Sequence, residues 1–284
     1  MVGLGRMGGN MAERLRRFGH EVIGYDRDPD ISQVKSLGEL VEELAPPRVV
    51  WVMLPAGEPT RAAIAELAEL LSPGDLVIDG GNSNYRDSIA RAGELEAKSI
   101  GFVDAGVSGG IWGLENGYGL MVGGKDEHFE LIRPVLEALA PEGGPVHAGP
   151  VGAGHFTKMV HNGIEYGLMQ AYGEGYELLR ASELGIDVDG AISAWRHGTV
   201  IRSWLLDLFH RALEEDPGLT KLKGWAEDSG EGRWSVAEAV HLAVPVPVLS
   251  AALFARFASR QEDSPTMRVV AALRQQFGGH PVHK

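Results

Sequence analysis

Lys158, His161, Asn162 and Glu165 lie within one short stretch, GAGHFTKMVHNGIEYGLMQ at 152–170. On a helix of 3.6 residues per turn they fall within an arc of about 100°, so an amine, an imidazole, an amide and a carboxylate share one face. A partly desolvated amine near positive groups can take up a proton near neutral pH, and a neutral carboxylic acid can return one. On the opposite face Gly163, Gly167 and Ala171 recur at four-residue steps. Each glycine costs about 1 kcal/mol of helix propensity relative to alanine, and its missing side chain lets another element approach closely. A solvated surface helix accounts for isolated Lys and Glu residues, but not for these glycines or for the His-Asn pair between the charges. The stretch is expected to be a helix with one chemical face and one packed face.

Proton transfer of this kind becomes redox chemistry if a hydride acceptor is held nearby. The chain opens Met-Val and enters Gly3-Leu4-Gly5-Arg6-Met7-Gly8, followed by a helical pattern through Phe18. In a GxGxxG loop the first glycine makes the turn, the second lets a pyrophosphate approach the backbone, and the third packs helix on strand. A strand is expected at 20–25, ending in Asp26 at the spacing where an acid hydrogen-bonds the adenosine ribose. That carboxylate repels the 2′-phosphate of NADP, whereas Arg27 beside it can pair with the phosphate; NAD is the preferred cofactor, with NADP as the alternative. Only two residues precede Gly3, fewer than the five or so of an ordinary strand, so the natural chain is expected to begin a few residues earlier.

Apolar runs at 48–54, 76–78, 101–103 and 120–122 alternate with helical segments, the pattern of a mostly parallel sheet covered on both faces, as in a Rossmann-like α/β domain. Each of the first three runs is followed by a turn: Pro55-Ala56-Gly57 after the first, Gly80-Gly81-Asn82-Ser83-Asn84 after the second, Val107-Ser108-Gly109-Gly110 after the third. Open α/β sheets bind ligands at the carboxyl edge of their strands. Asn82 and Ser108 offer neutral hydrogen bonds there, and the glycines expose backbone N–H groups. Residues 141–150 read as a linker, dividing an NAD(P)-binding domain at 1–149 from an all-α domain at 150–284. In the latter, helices are expected around 189–197, 201–214, 235–242, 246–260 and 265–277. Arg256 stands in the apolar helix 246–260, where a guanidinium needs either an anionic partner or a route to solvent. The C-terminal Gly278-Gly279-His280 ends the last helix and releases a short tail.

Composition excludes several classes of function. With 39 acidic and 26 basic residues the formal charge is −13, which argues against a general nucleic-acid or anionic-membrane binder. The chain has no cysteine, which rules out disulfides, thiol catalysis and cysteine-bound metal, and a reducing cytoplasm is the simplest compartment. No apolar run approaches the ~20 residues of a membrane span, and no cluster of metal ligands is evident.

Together GLGRMGGNM, DGGNSNYRDS, VSGG, GAGHFTKMVHNGIEYG, GRWSVAEAV and RQQFGGH resemble the 6-phosphogluconate dehydrogenase (decarboxylating) family of the β-hydroxyacid dehydrogenase superfamily, in its short form with one copy of the helical unit. The resemblance runs from Gly3 to His280. It implies oxidative decarboxylation of 6-phosphogluconate to ribulose 5-phosphate with NAD(P). By position, Lys158 is the implied general base and Glu165 the later general acid. Asn82, Ser108, Gly109, Gly110, His161, Asn162 and Tyr166 would hold the sugar acid, Arg256 its phosphate, and Arg274 with His280 a site on a neighbouring subunit of a homodimer or homotetramer. Gly3, Leu4, Gly5, Arg6, Met7, Gly8, Asp26, Arg27, Leu54, Pro55 and Asn82 would hold the cofactor. One position departs from the pattern: Ser229 stands where the long enzymes have a phosphate-binding lysine, so the clamp is expected to be rebuilt with Arg233 or the serine hydroxyl, or to take an unphosphorylated aldonate. The rival readings are a non-decarboxylating reductase of the same superfamily and a non-catalytic NAD-binding protein.

Overall fold

A computed structural model describes residues 1–278 and residue 281. Five strands, β1 Val49–Val52, β2 Leu76–Asp79, β3 Gly101–Ser108, β4 Gly119–Gly123 and β5 Pro145–Gly149, pair in the order β1-β2-β3-β4-β5. All pairings are parallel except β3 with β4. Val2 extends this sheet beyond β1 by parallel bridges to Val52 and Tyr25. The carboxyl ends of β1, β2 and β3 therefore share one edge, as their turn sequences require.

The sheet is covered on both faces because its strands are apolar at successive positions. Val50, Val52, Val77 and Phe102 pack against Leu40 of α2 (Leu37–Glu42), Ile64 and Leu67 of α3 (Glu58–Leu70) and Leu95 of α4 (Tyr85–Glu96). Trp51, Ile78, Val103, Leu120 and Val122 share the other core with Met11 and Leu15 of α1 (Arg6–Arg17) and with Ile132 and Leu136 of α6 (Asp126–Leu139). The short α5 (Gly113–Asn116) lies between β3 and β4 in sequence.

Two local expectations are corrected. The strand expected at 20–25 is reduced to the single bridge at Tyr25, because its backbone bonds reach the sheet only through Met1, Val2 and Gly3. The linker expected at 141–150 contains β5, which runs parallel to β4 with an irregularity after Val122. Its residues are half-buried or exposed, and Pro145 and Gly149 hide its strand character from the sequence.

The chain divides into two compact units, Met1–His161 and Asn162–Lys284, with the division falling inside the long helix α7 (Ala153–Ala181). The described residues of the second unit form no strand. Besides the end of α7 it contains α8 (Val188–Trp195), α9 (Trp204–Glu215), α10 (Glu231–His241), α11 (Pro247–Ser259) and α12 (Pro265–Gly278). Asp187 and Ser203 cap α8 and α9 by accepting from Gly190 N and Leu206 N. One core joins Val188, Ile192, Leu206 and Leu213 with Tyr172 and Tyr176, and another joins Tyr166, Ala252 and Leu253 with Met169 and Phe257. The glycine face of α7 meets its expected neighbours: a Cβ on Gly163 would stand 2.9 Å from Leu249 and 3.1 Å from the Ser235 hydroxyl, and one on Gly167 3.2 Å from Val248.

Candidate active site

The dinucleotide loop is built by close backbone approach. Gly3 adopts φ +90°, and a Cβ there would lie 2.5 Å from Met53 O; one on Gly8 would lie 2.0 Å from Gly3 O. Gly5 caps α1 without a side chain and the first turn carries no acid, so no cap side chain or first-turn carboxylate competes with an incoming anion for the first backbone N–H groups of the helix. A pyrophosphate fits this cradle. Asp26 is fastened beside it: Leu4 N donates to Oδ2 at 2.7 Å and Asp28 N to Oδ1 at 3.0 Å. Asp28 in turn accepts from Asp30 N at 3.0 Å. Three carboxylates thus share this loop with the exposed Arg27. Leu54 and Pro55 follow β1, and the Leu54 side chain comes within 3.0 Å of a Cβ placed on Gly3.

The Asn82 loop hangs from a buried ion pair. Asp79, at the end of β2 and fully buried, accepts from Gly81 N at 3.1 Å, Ser83 Oγ at 2.9 Å and Arg91 Nη1 at 2.8 Å. Asn84 then caps α4 by accepting from Arg86 N. Asn82 sits between these anchors, exposed at the sheet edge.

Lys158 is seated by a different acid. Asp104 on β3 stands opposite Asp79 in the parallel register and is also fully buried. Its Oδ1 accepts from Gly152 N and its Oδ2 from His155 N, both at 2.7 Å. Burial pushes this carboxyl upward from the ordinary range, opposed by His155 and by the two amide bonds. Gly152 adopts φ +94°, a conformation glycine accepts readily. Two further glycines bring helix and strand together, since a Cβ on Gly154 would lie 2.4 Å from Asp104 O and one on Gly106 2.4 Å from Lys158 Cβ. The lysine stem is therefore packed on β3 two residues before Ser108, and Lys158 is 8% exposed. His155 links this helix end to α4, its Nδ1 lying 2.7 Å from Ser88 Oγ. Ser108 and Gly109 are half-buried, and Gly109 and Gly110 have positive φ.

Within the first unit the structure thus brings Ser108 and Lys158 onto one strand end, and sets Asn82 and the 3–8 loop along the same sheet edge. His161, exposed, closes this unit on α7. In the second unit Asn162 and Glu165 are half-buried and Tyr166 is buried. Arg256 lies over the Tyr166 ring, its Cζ 3.5 Å from the centroid, and its Nη1 donates to Glu227 O at 2.8 Å. The guanidinium is satisfied by a ring face and a carbonyl instead of a buried anion. Tyr166 OH accepts from Ser229 N at 3.2 Å. Neither residue expected to rebuild the clamp is uncommitted: Ser229 Oγ donates to Glu231 at 2.6 Å, and Arg233 is held bidentately by Asp228, which also binds Arg260. Arg274 is exposed on α12, and His280 lies outside the described residues. Among the described residues no group of three or more His, Asp or Glu side chains could hold a metal ion, and no helix is long and apolar enough to cross a membrane.

Asp79, Arg91, Asp104, His155 and Asp28 carry much of this geometry and were not singled out from the sequence. The available signal was an acid inside each of two apolar strands, VID and FVDAG, where only a partnered carboxylate is tolerable.

A glycine cradle at a helix N-terminus, an acid fixed beside it and a buried lysine on the same sheet edge define an NAD(P)-binding oxidoreductase. Residues 1–149 match the family described as the NAD binding domain of 6-phosphogluconate dehydrogenase, and residues 154–280 match the 6-phosphogluconate dehydrogenase C-terminal domain. The chain belongs to the 6-phosphogluconate dehydrogenase family. It is 40% identical, over 99% of its length and 97% of the relative's, to the NAD(+)-dependent decarboxylating 6-phosphogluconate dehydrogenase of Haloferax volcanii. It is 36% identical to the NADP(+)-dependent decarboxylating enzyme of Bacillus subtilis, with 93% of this chain covered and 61% of that protein. Among solved structures, Plasmodium falciparum 6-phosphogluconate dehydrogenase, determined in its apo form, with NADP+ and with 6-phosphogluconate, superposes with a TM-score of 0.84 at 27% identity, covering 100% of this chain and 65% of that one.

The Asp79–Arg91 pair makes a direct prediction. Removing one partner of a buried ion pair costs about 3–5 kcal/mol, so Arg91→Met should lower the urea unfolding free energy by about that amount, and Asp79→Asn added to Arg91→Met should recover part of the loss. Urea titrations of the two variants beside the parent measure both effects.

Proposed function

We propose that the chain oxidises 6-phosphogluconate with NAD and releases carbon dioxide, forming ribulose 5-phosphate. The observation that carries this reading is the buried Lys158, packed against Gly106 at the carboxyl end of β3 within the unit that holds the dinucleotide loop. The 3–8 loop and Asp26 would hold the cofactor with Arg27, Leu54, Pro55 and Asn82, and bound NAD supplies the hydride acceptor.

Lys158, as the neutral amine, accepts the proton of the 3-hydroxyl while carbon 3 is oxidised. The protonated Lys158 then donates a hydrogen bond to the new ketone oxygen, which stabilises the negative charge that develops as the carboxylate leaves as carbon dioxide. Glu165, seven residues further along the same helix, delivers the proton that carbon 1 requires. Asn82, Ser108, Gly109, Gly110, His161, Asn162 and Tyr166 hold the sugar acid in this assignment. Arg256 receives the phosphate, its guanidinium already seated over the Tyr166 ring, and with Ser229 and Arg233 both engaged it is the principal cation of the clamp. Arg274 and His280 complete the site of a neighbouring subunit in a homodimer or homotetramer, acting in the cytoplasm. Residues 1–149 form the cofactor-binding domain, which also lends Asn82, Ser108, Gly109 and Gly110 to the substrate, and residues 150–284 form the domain for substrate binding and assembly.

The NAD preference rests on Asp26 and its companions Asp28 and Asp30, whose charges oppose a 2′-phosphate. Asp26→Asn with Asp28→Thr keeps an acceptor for Leu4 N while removing two charges. This variant should raise the NADP-to-NAD ratio of kcat/KM by at least about tenfold, roughly 1.4 kcal/mol, as read from steady-state rates with each cofactor.

Lys158→Met tests the base assignment. Turnover should fall by at least about 1000-fold, while the affinity for NAD, measured by calorimetric titration, stays within about twofold. Substantial residual turnover would remove Lys158 from that role.

A further inference from the structure

We propose that Asp104 is the positioning residue for Lys158, fixing the start of α7 by supplying from β3 both halves of a capping box that the helix itself lacks. This inference rests on the reading of Lys158 as the base.

A helix normally satisfies its first amides with its own cap residues: the N-cap side chain accepts from the third helical N–H, and the side chain at that third position accepts from the N-cap N–H. Helix α7 can do neither. Its N-cap position is Gly152, which has no side chain, adopts φ +94° and could gain a Cβ only 2.9 Å from Ile89. Its third position is His155, whose Nδ1 is engaged by Ser88 Oγ. The two amides of a capping box, Gly152 N and His155 N, are instead both taken by the Asp104 carboxylate, one oxygen each at 2.7 Å. Because the acceptor belongs to β3, the bonds fix where the helix begins relative to the strand, which a cap internal to α7 could not do.

The consequence reaches Lys158 through three residues of rigid helix. Gly154 lets the helix sit directly on Asp104 O, and Gly106 leaves the space occupied by the Lys158 stem. Ser108 follows on the same strand. One carboxylate thus sets the distance between the lysine and the turn at the end of β3. Ser88 extends the same constraint to α4, the helix that starts directly after the Asn82 loop.

The test compares Asp104→Ala with the near-isosteric Asp104→Asn in the full chain. The measurements are kcat, KM for the sugar acid, NAD affinity by titration, thermal midpoint, and amide hydrogen exchange at Gly152 and His155. A displacement of about 1 Å in a reacting group costs about 100-fold in rate, so Asp104→Ala should lower kcat by at least about tenfold. It should also speed exchange at both amides, with NAD affinity within about twofold of the parent. Asp104→Asn retains one acceptor oxygen and should fall between. Wild-type kcat in a folded Asp104→Ala protein would overturn the proposal, as would losses of kcat, NAD affinity and thermal midpoint that run in parallel in both variants. If Asp104→Ala does not fold, Asp104→Asn decides: reduced kcat with intact NAD affinity supports the role, and unchanged kcat refutes it. Lys158→Met separates the two readings. If it retains turnover, the base assignment fails; if it is inactive while Asp104→Ala turns over normally, only the positioning role fails.

Discussion

The carboxylate of Asp104 is the point on which the first unit's site geometry depends. It is buried, 48 residues away in sequence from the nearer of the two amides it accepts. Hydrogen bonds to charged groups contribute about 1.5–3 kcal/mol each, appreciable beside the 5–15 kcal/mol that separates most folded domains from the unfolded chain. An unpartnered acid at this depth would be destabilising by more than those bonds contribute. The strand tolerates it because α7 starts there, and α7 starts there because the acid accepts its first amides. Asp79, its register neighbour, solves the same problem with Arg91, Ser83 and Gly81 N, and in doing so anchors the loop that carries Asn82. Two acids on adjacent strands thus fix two of the segments that the proposed chemistry needs.

Much of this architecture was legible in the sequence. Runs such as VVWV and LVI are apolar at successive positions, which only a sheet covered on both faces accommodates, and the turns that follow them share an edge because the strands are parallel. The glycines of α7 were readable as a packing face because glycine is a poor helix former unless something fills the space. What was not legible is long-range. Nothing local in FVDAG says that its acid caps a helix beginning 49 residues later, or that Ser88 meets an imidazole 67 residues away. The β5 segment has the composition of a linker because Pro145 and Gly149 are turn residues by propensity, and pairing with β4 overrides that preference.

The second unit changes the picture of the phosphate clamp. Ser229 and Arg233 were the residues expected to compensate for the missing lysine, and both are committed to carboxylates. Arg256 is held by a ring face and a backbone carbonyl, and forms no ion pair with a carboxylate among the described residues. A cation oriented in this way is suited to an anion that arrives with the substrate. Glu231, buried beside Ser229, has one carboxylate oxygen without a hydrogen-bond partner among the described residues.

Oxidation of a phosphorylated sugar acid coupled to loss of its carboxylate leaves two products that can be counted against each other. The decisive measurement follows carbon dioxide and reduced cofactor together, with 6-phosphogluconate labelled at carbon 1 and either NAD or NADP. One carbon dioxide released per cofactor reduced, with NAD the better acceptor and gluconate a poor substrate, is the predicted result. Cofactor reduction without release of the label, or gluconate turned over as readily as its phosphate ester, would contradict it.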